Sequence, residues 1–283
     1  MTNTKPTLFI TRDMPPLVEA RAVESYDARL NKEDKVYTPE ALIAAAEGAD
    51  GMLIAGTEKM TSEAFSGLPA SVKIVSCFTA GFDHVDLAAA KERGVVVTNS
   101  PDALTDAVAD IAMLLLLGAA RRAGEGEALM RSGGWDNIHL LFMTGTEIRD
   151  KRLGVFGMGR IGRAVADRAR AFGLEIHYHN RSRLPPVLEA GAVWHETAES
   201  LLENSDFLSL NCPSNEESRN FFDAKAIARM PQGAIVINTA RGDVVDDEAL
   251  IAALQLMIDG VAHNLQTSRS LKASAQYFAF SQA

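Results

Sequence analysis

Short apolar runs alternate along this chain with stretches whose apolar residues recur every three or four positions. The runs at 7–10 (Thr-Leu-Phe-Ile), 51–54 (Gly-Met-Leu-Ile), 72–76 and 95–98 predict strands. Short continuous apolar runs bounded by turn residues are the pattern of strands buried on both faces. Between them, 16–25, the stretch opened by Thr38-Pro39-Glu40, 61–65 and 87–93 predict helices. Thr38 suits the cap of its helix, Pro39 the first helical position and Glu40 the first turn, while Gly94 closes the last helix. Strands alternating with helices predict a parallel sheet covered on both faces, so residues 1–100 read as one small α/β domain. Ser100-Pro101-Asp102 marks its end. An apolar helix over 104–122 is expected between two domains, and 124–150, with Trp135 and several glycines, reads as a connector. The alternation then resumes, with strands at 153–156, 174–179, 207–211 and 234–238 and helices at 163–172 and 224–230.

The first strand of that second series carries the chain's most informative motif, Gly157-Met158-Gly159-Arg160-Ile161-Gly162. In a Gly-x-Gly-x-x-Gly turn between strand and helix, the first glycine allows the tight turn. The second lets a pyrophosphate approach the backbone, and the third lets the helix pack close to the sheet. This context predicts dinucleotide binding. NAD sites usually place Asp or Glu at the end of the next strand, to accept hydrogen bonds from the ribose. Here the residues are Asn180-Arg181-Ser182-Arg183. Without a carboxylate, and with two guanidinium groups offered to a 2′-phosphate, the pattern favours NADP(H) over NAD(H); the alternative is two solvated arginines on a loop.

Bulk properties narrow the rest. A length of 283 residues fits two domains. A net charge of −9 argues against nucleic acid as the main partner. Two cysteines, Cys77 and Cys212, imply no disulfide framework and read as small buried hydrophobes. No metal-ligand spacing, signal peptide or membrane span is evident, so a cytoplasmic protein is expected.

Two loops after strand ends invite chemistry, because ligands of open parallel sheets bind beyond the carboxyl ends of the strands. In Thr79-Ala80-Gly81-Phe82-Asp83-His84, Gly81 can expose backbone N–H groups to an anion. His84 reads as a helix-start residue rather than a catalyst. Arg241, after the strand at 234–238, is suited to hold a carboxylate and polarise an adjacent carbonyl; a loop-capping surface arginine is the equal alternative.

Six pieces in order resemble one family, the D-isomer-specific 2-hydroxyacid dehydrogenases. They are the 79–86 loop with its Ala80-Gly81, the Gly94 to Pro101 stretch, Thr105-Asp106-Ala107-Val108-Ala109-Asp110, the glycine motif, Leu208 to Pro213, and Ile237 to Asp246. The Asn180-Arg181-Ser182 ending is similar to the NADP(H)-using glyoxylate/hydroxypyruvate reductase branch. The resemblance implies two Rossmann/flavodoxin-like α/β domains with parallel sheets, the nucleotide-binding domain inserted in the substrate domain. It assigns 1–100 to the substrate domain, 101–254 to the NADP domain, and 255–283 to a C-terminal helix returning to the substrate domain. Ala80 and Gly81 would bind the substrate carboxylate, and Arg241 would bind it and polarise the carbonyl. Gly157, Gly159, Arg160, Ile161 and Gly162 would hold the pyrophosphate. Asn180, Arg181 and Ser182 would meet the 2′-phosphate end, Cys212, Pro213, Thr239 and Ala240 would line the nucleotide path, and Thr105 and Asp110 would lie near the cofactor cleft. A homodimer, formed through the nucleotide domains and the connector near Trp135, is also implied.

One part of the pattern is missing. Hydride delivery to a carbonyl carbon leaves an oxygen that needs a proton. The resemblance implies that a His in a Pro-His-x-Gly-Ser-like motif supplies it, supported by a Glu after an Asp-Val-Phe-like strand, both following the helix at 247–254. Neither motif occurs in the sequence. Met257 to Leu265 resembles the family's final helix, so the nucleotide domain reads as truncated after about Leu254; a frameshifted tail that mimics this helix is the other reading. His263 is the only late histidine, and on that helix it would face solvent. General acid catalysis contributes roughly 10²–10⁴-fold. The 283-residue polypeptide is therefore expected to be an impaired reductase of small 2-keto acids, or else a catalytically dead NADP(H)-binding interaction or sensor protein. A sheet cut short is also expected to bare an apolar edge.

Overall fold

The computed structural model describes residues 5–135, 140–254 and 279–280. The chain divides into two compact units, Met1–Leu104 and Thr105–Ala283.

The first unit runs β1 (Thr7–Ile10), α1 (Pro16–Ser25), β2 (Asp27–Arg29), α2 (Pro39–Ala45), β3 (Gly51–Ile54), α3 (Ser62–Gly67), β4 (Ile74–Cys77), α4 (Leu87–Glu92) and β5 (Val96–Thr98). All five strands are parallel, in the order β2-β1-β3-β4-β5. That is the flavodoxin-like order. The predicted caps hold: Thr38 Oγ1 accepts the Ala41 N–H at 3.3 Å, and Gly94 closes α4 at φ +70°. The core is built from the inward residues Phe9, Met52, Ile54, Phe65, Val75 and Cys77. β2 escapes sequence reading because it is a polar edge strand with no apolar run. β4 starts later than its apolar run, because the Val72 N–H closes a turn onto Pro69 O.

The second unit runs α5 (Thr105–Ala120), α6 (Ala123–Arg131), β6 (Arg152–Phe156), α7 (Arg160–Ala171), β7 (Glu175–His179), α8 (Pro186–Glu189), β8 (Val193–Trp194), α9 (Ala198–Glu203), β9 (Phe207–Leu210), α10 (Ala224–Arg229), β10 (Ile235–Asn238), a 3₁₀ turn (Gly242–Val244), a helical stretch at 247–254 and β11 (Ala279–Phe280). The strands are parallel and ordered β8-β7-β6-β9-β10-β11. Counted from β6, this is the 3-2-1-4-5-6 order of dinucleotide-binding sheets, with its topological switch between β6 and β9. Phe156 pairs with Leu210 across that switch, so both strands end level there. α5 and α7 share a core with the sheet through Ala109, Leu116, Val155, Val165 and Ile237.

Two sequence expectations change here. The connector holds a helix, α6, which buries none of its side chains, so no apolar stripe announces it. β11 pairs Ala279 with Ile237 and Phe280 with Asn238, so the bare edge expected beyond β10 is covered over those two residues. The helix expected at 257–265 lies outside the described residues.

Candidate nucleotide and keto-acid site

The glycine turn joins β6 to α7, and its three glycines have three different surroundings. Gly157 has φ +92°, and a Cβ there would lie 2.8 Å from Cys212 N and 2.9 Å from Asn211 C. Gly162 is buried against the turn itself, with its Cβ position 2.4 Å from Gly157 O. Gly159 faces open space, with nothing within 4 Å of its Cβ position. It also caps α7 without any side-chain hydrogen bond, so the helix N-terminus keeps its N–H groups for a ligand. Arg160 is exposed on the first turn, and Ile161 beside it packs on the core.

The end of β7 is stitched to this turn. Gly157 N–H donates to His179 O at 3.1 Å, and Met158 N–H donates to Asn180 Oδ1 at 2.7 Å. Arg181 and Ser182 are exposed, and Arg181 has no ion-pair partner among the described residues. Arg183 corrects the sequence reading of two available guanidinium groups. Its Nε and a terminal nitrogen bond the two carboxylate oxygens of Glu189 at 2.8 and 3.2 Å. Asp110 is likewise engaged: with Asp106 it binds Arg168 of α7, at 2.6 and 2.9 Å, tying α5 to α7.

At the ends of β9 and β10 several polar atoms wait for partners. Asn211 Oδ1 and Thr239 Oγ1 are buried without a hydrogen-bond partner among the described residues, and so is Thr105 Oγ1 at the start of α5. Unpaired buried oxygens are costly in a protein alone and are explained when a ligand supplies the donor. Together with the open Gly159 cradle, they fit a bound dinucleotide. Cys212 and Pro213 continue from Asn211 beside Gly157, and burial pushes the Cys212 thiol up to about 11, so it stays protonated at neutral pH.

Arg241 sits beyond β10 in extended backbone at φ −140°, heading the 3₁₀ turn. Asn238, itself buried, sets this segment: its Nδ2 donates to Arg241 O at 2.8 Å, and its Oδ1 accepts the Ala240 N–H at 3.0 Å. In the first unit, the Ala80-Gly81 turn is held from behind. Asn99 Nδ2 donates to Ala80 O and Thr79 Oγ1 to Gly81 O, both at 2.7 Å. Both carbonyls are taken, and neither N–H is given to another described residue. His84 O accepts the Met60 N–H at 2.8 Å, where its backbone bridges to the next loop.

Residues 113–264 match the family model of the D-isomer specific 2-hydroxyacid dehydrogenase, NAD binding domain. The glycerate dehydrogenase of Hyphomicrobium methylovorum is 44% identical over 253 residues, 89% of this chain and 79% of that protein. This chain belongs to the D-isomer specific 2-hydroxyacid dehydrogenase family. A glyoxylate reductase of Thermococcus litoralis is 38% identical over 255 residues, 89% of this chain and 77% of that one. Among solved structures, a D-isomer specific 2-hydroxyacid dehydrogenase, NAD-binding, from Polaromonas sp. JS6 66 superposes at TM-score 0.82 with 43% identity, covering 89% of this chain and 79% of that chain. By family the protein is a 2-hydroxyacid dehydrogenase, an oxidoreductase with a nicotinamide-nucleotide domain.

Within this family framework, sequence reading missed Asn238 and Glu189. Both act on the site through hydrogen bonds to other residues. Asn238 lies at the end of a buried strand, within the Ile237 to Asp246 stretch of the resemblance but with no role assigned to it there, and Glu189 lies in a four-residue helix without a motif. A further signal was a polar residue inside an otherwise apolar strand, which in Asn238 marks a buried hydrogen-bonding role.

Proposed function

We propose that this protein reduces small 2-keto acids of the glyoxylate or hydroxypyruvate type to D-2-hydroxy acids with NADP(H). The observation that carries the reading is Arg241, fixed by Asn238 beyond β10 in the same sheet as the Gly159 cradle. Its guanidinium would grip the substrate carboxylate and draw electron density from the neighbouring carbonyl oxygen. The Ala80 and Gly81 N–H groups would give the carboxylate further donors. The nicotinamide cofactor, when bound, supplies the hydride. Gly157, Gly159, Arg160, Ile161 and Gly162 would receive its pyrophosphate, Cys212 and Pro213 would flank it, and Thr105, Asn211, Thr239 and Ala240 would line the rest of its path. The choice of NADP(H) over NAD(H) rests on Asn180, Arg181 and Ser182: an amide where a carboxylate would bind ribose, and one guanidinium facing solvent.

The same reading includes impairment. No Pro-His-x-Gly-Ser-like motif follows residue 254 in the sequence, so no residue is assigned to protonate the product oxygen. This favours, as a second reading, an NADP(H)-binding protein without turnover. We also propose a homodimer: Leu114, Met130, Trp135, Leu140 and Leu141 are large apolar side chains that stand exposed in and after α5 and α6. A cytoplasmic, soluble protein fits this reading; among the described residues no helix is long and apolar enough to cross a membrane.

The test is NADPH oxidation with glyoxylate and hydroxypyruvate by purified protein of verified intact mass. Turnover by a protein heavier than the 283-residue chain would restore an unimpaired reductase. Rapid turnover at the mass of that chain refutes the impairment. Cofactor binding without turnover puts the second reading first.

A further inference from the structure

Glu189 is the last residue of α8, and its side chain is only 7% exposed. Its Oε1 accepts the Tyr178 hydroxyl at 2.6 Å and Arg183 Nε at 2.8 Å, while Oε2 accepts a terminal Arg183 nitrogen at 3.2 Å. Tyr178 is fully buried in β7, and its hydroxyl in turn accepts the Leu184 N–H at 2.9 Å. Glu189 O accepts from Arg170 of α7 at 3.0 Å, and the Arg183 guanidinium lies 5.8 Å from the centre of the Trp194 ring. The loop 180–184 is therefore pinned at both ends, by Asn180 to the glycine turn and by Leu184 to Tyr178. The Arg183 guanidinium, and next the Tyr178 hydroxyl, hold the Glu189 carboxyl below its usual range, so it is ionised at neutral pH.

A nearly buried carboxylate cannot be left without its cation cheaply. Arg183 therefore cannot swing towards a cofactor phosphate without stranding Glu189. Seen from the loop's outer face, the Arg183–Glu189 pair is close to neutral, and only Arg181 projects an uncompensated charge. We propose that Glu189 is a specificity-determining residue: it cancels Arg183, leaves Arg181 as the single cation reading a 2′-phosphate, and so limits the preference for NADP(H) over NAD(H). The proposal rests on the NADP(H) reading above.

The experiment is equilibrium titration of the full chain with NADPH and with NADH, followed by nicotinamide fluorescence. The variants are Arg181→Ala, Arg183→Ala, Glu189→Gln and the double variant Arg183→Ala/Glu189→Gln. The readout is the ratio of the two dissociation constants, which cancels any general loosening of the loop because both cofactors share it. Arg181→Ala should bring the ratio close to one, and Arg183→Ala should leave it at the wild-type value. Glu189→Gln, which keeps the acceptor for Tyr178 but frees the Arg183 charge, should raise the NADPH preference by roughly two- to fivefold, the scale of one exposed charge pair. Adding Arg183→Ala to it should erase that gain. The proposal is overturned if Arg183→Ala lowers the preference as Arg181→Ala does, or if Glu189→Gln leaves it unmoved. If Glu189→Gln does not fold, the comparison of Arg181→Ala with Arg183→Ala decides alone. No change in any variant, Arg181→Ala included, is the distinct outcome that removes the NADP(H) reading itself.

Discussion

The side-chain oxygen of Asn180 accepts the backbone N–H of Met158 at 2.7 Å, joining the end of β7 to the middle of the glycine turn. The residue that sits where a ribose-binding carboxylate is usual therefore also shapes the glycine turn. Asn180→Asp keeps the acceptor and adds a charge that accepts from ribose hydroxyls and repels a 2′-phosphate. NADPH affinity should fall about tenfold or more while NADH binding holds, as expected for a like charge within a few ångströms. Asn180→Ala should weaken both cofactors alike, because it frees the turn without adding charge. Titration of both cofactors on both variants checks this, and equal losses in Asn180→Asp would sink it.

Two glycines of the turn, Gly162 and Gly159, predict two different failures. Alanine at Gly162 would place its Cβ 2.4 Å from Gly157 O and 3.0 Å from Val155 Cγ1. Overpacking of this kind costs about 1–3 kcal/mol, so Gly162→Ala should lower the urea midpoint and disturb cofactor binding with it. Alanine at Gly159 meets nothing within 4 Å. Gly159→Ala should therefore unfold like the parent protein yet bind either cofactor more weakly, because its methyl group fills the approach to the backbone. A stability loss in Gly159→Ala matching that of Gly162→Ala would contradict the proposed phosphate path.

Much of this arrangement was readable in the chain, and the reasons are physical. Strands buried on both faces are largely apolar, so β3, β9 and β10 announce themselves, and glycines forced by close approach announce the turn. Caps such as Thr38 and Gly94 are local chemistry and read locally. What stayed hidden depends on distant partners. β2 and α6 carry no apolar pattern of their own, and β8 is only two residues long. Arg183 looks identical in sequence to Arg181, and only the fold brings Glu189 to one and leaves the other in solvent.

Asn238 is the hinge of the proposed keto-acid chemistry. Its amide binds both Ala240 N–H and Arg241 O, and it is 3% exposed. Asn238→Ala would strand two backbone groups, and an unsatisfied buried group costs about 1–3 kcal/mol. Both stability and keto-acid reduction should fall. Arg241→Gln removes the charge directed at the carboxylate, and any turnover should drop by about 10²–10³-fold, the usual loss for one transition-state donor. Stopped assays of each variant against glyoxylate, with urea unfolding alongside, separate the two effects. An Arg241→Gln protein that retains full turnover would remove Arg241 from the chemistry.

The last prediction concerns pH and the edge of the nucleotide sheet. His177 Nδ1 and His195 Nε2 lie 2.8 Å apart, and His195 Nδ1 is 2.8 Å from Ser200 Oγ. One ring must donate and the other accept, so the two facing nitrogens share a single proton, and protonating both rings fully breaks the bond between them. Burial, and then the neighbouring His195 charge, hold His177 below the ordinary imidazole range; burial, and then His179, do the same to His195. The unfolded rings titrate near about 6.5. Below that pH the unfolded chain binds protons that the folded pair refuses. The contribution is thus complete above about pH 6.5 and is lost as pH falls through the depressed folded values, each ring adding a slope of up to about 1.4 kcal/mol per pH unit. Unfolding free energies measured by urea should be flat from about pH 8 to 7 and decline from about pH 6.5 to 5. The double variant His177→Gln/His195→Gln should flatten that limb. Asp206→Asn should change the acid end, because the Arg152 guanidinium holds the Asp206 carboxyl below its usual range, and should leave the milder limb in place or steepen it, because the Asp206 charge raises His177. An undiminished slope between pH 6.5 and 5 in the double variant would show that other groups set the protein's sensitivity to mild acid.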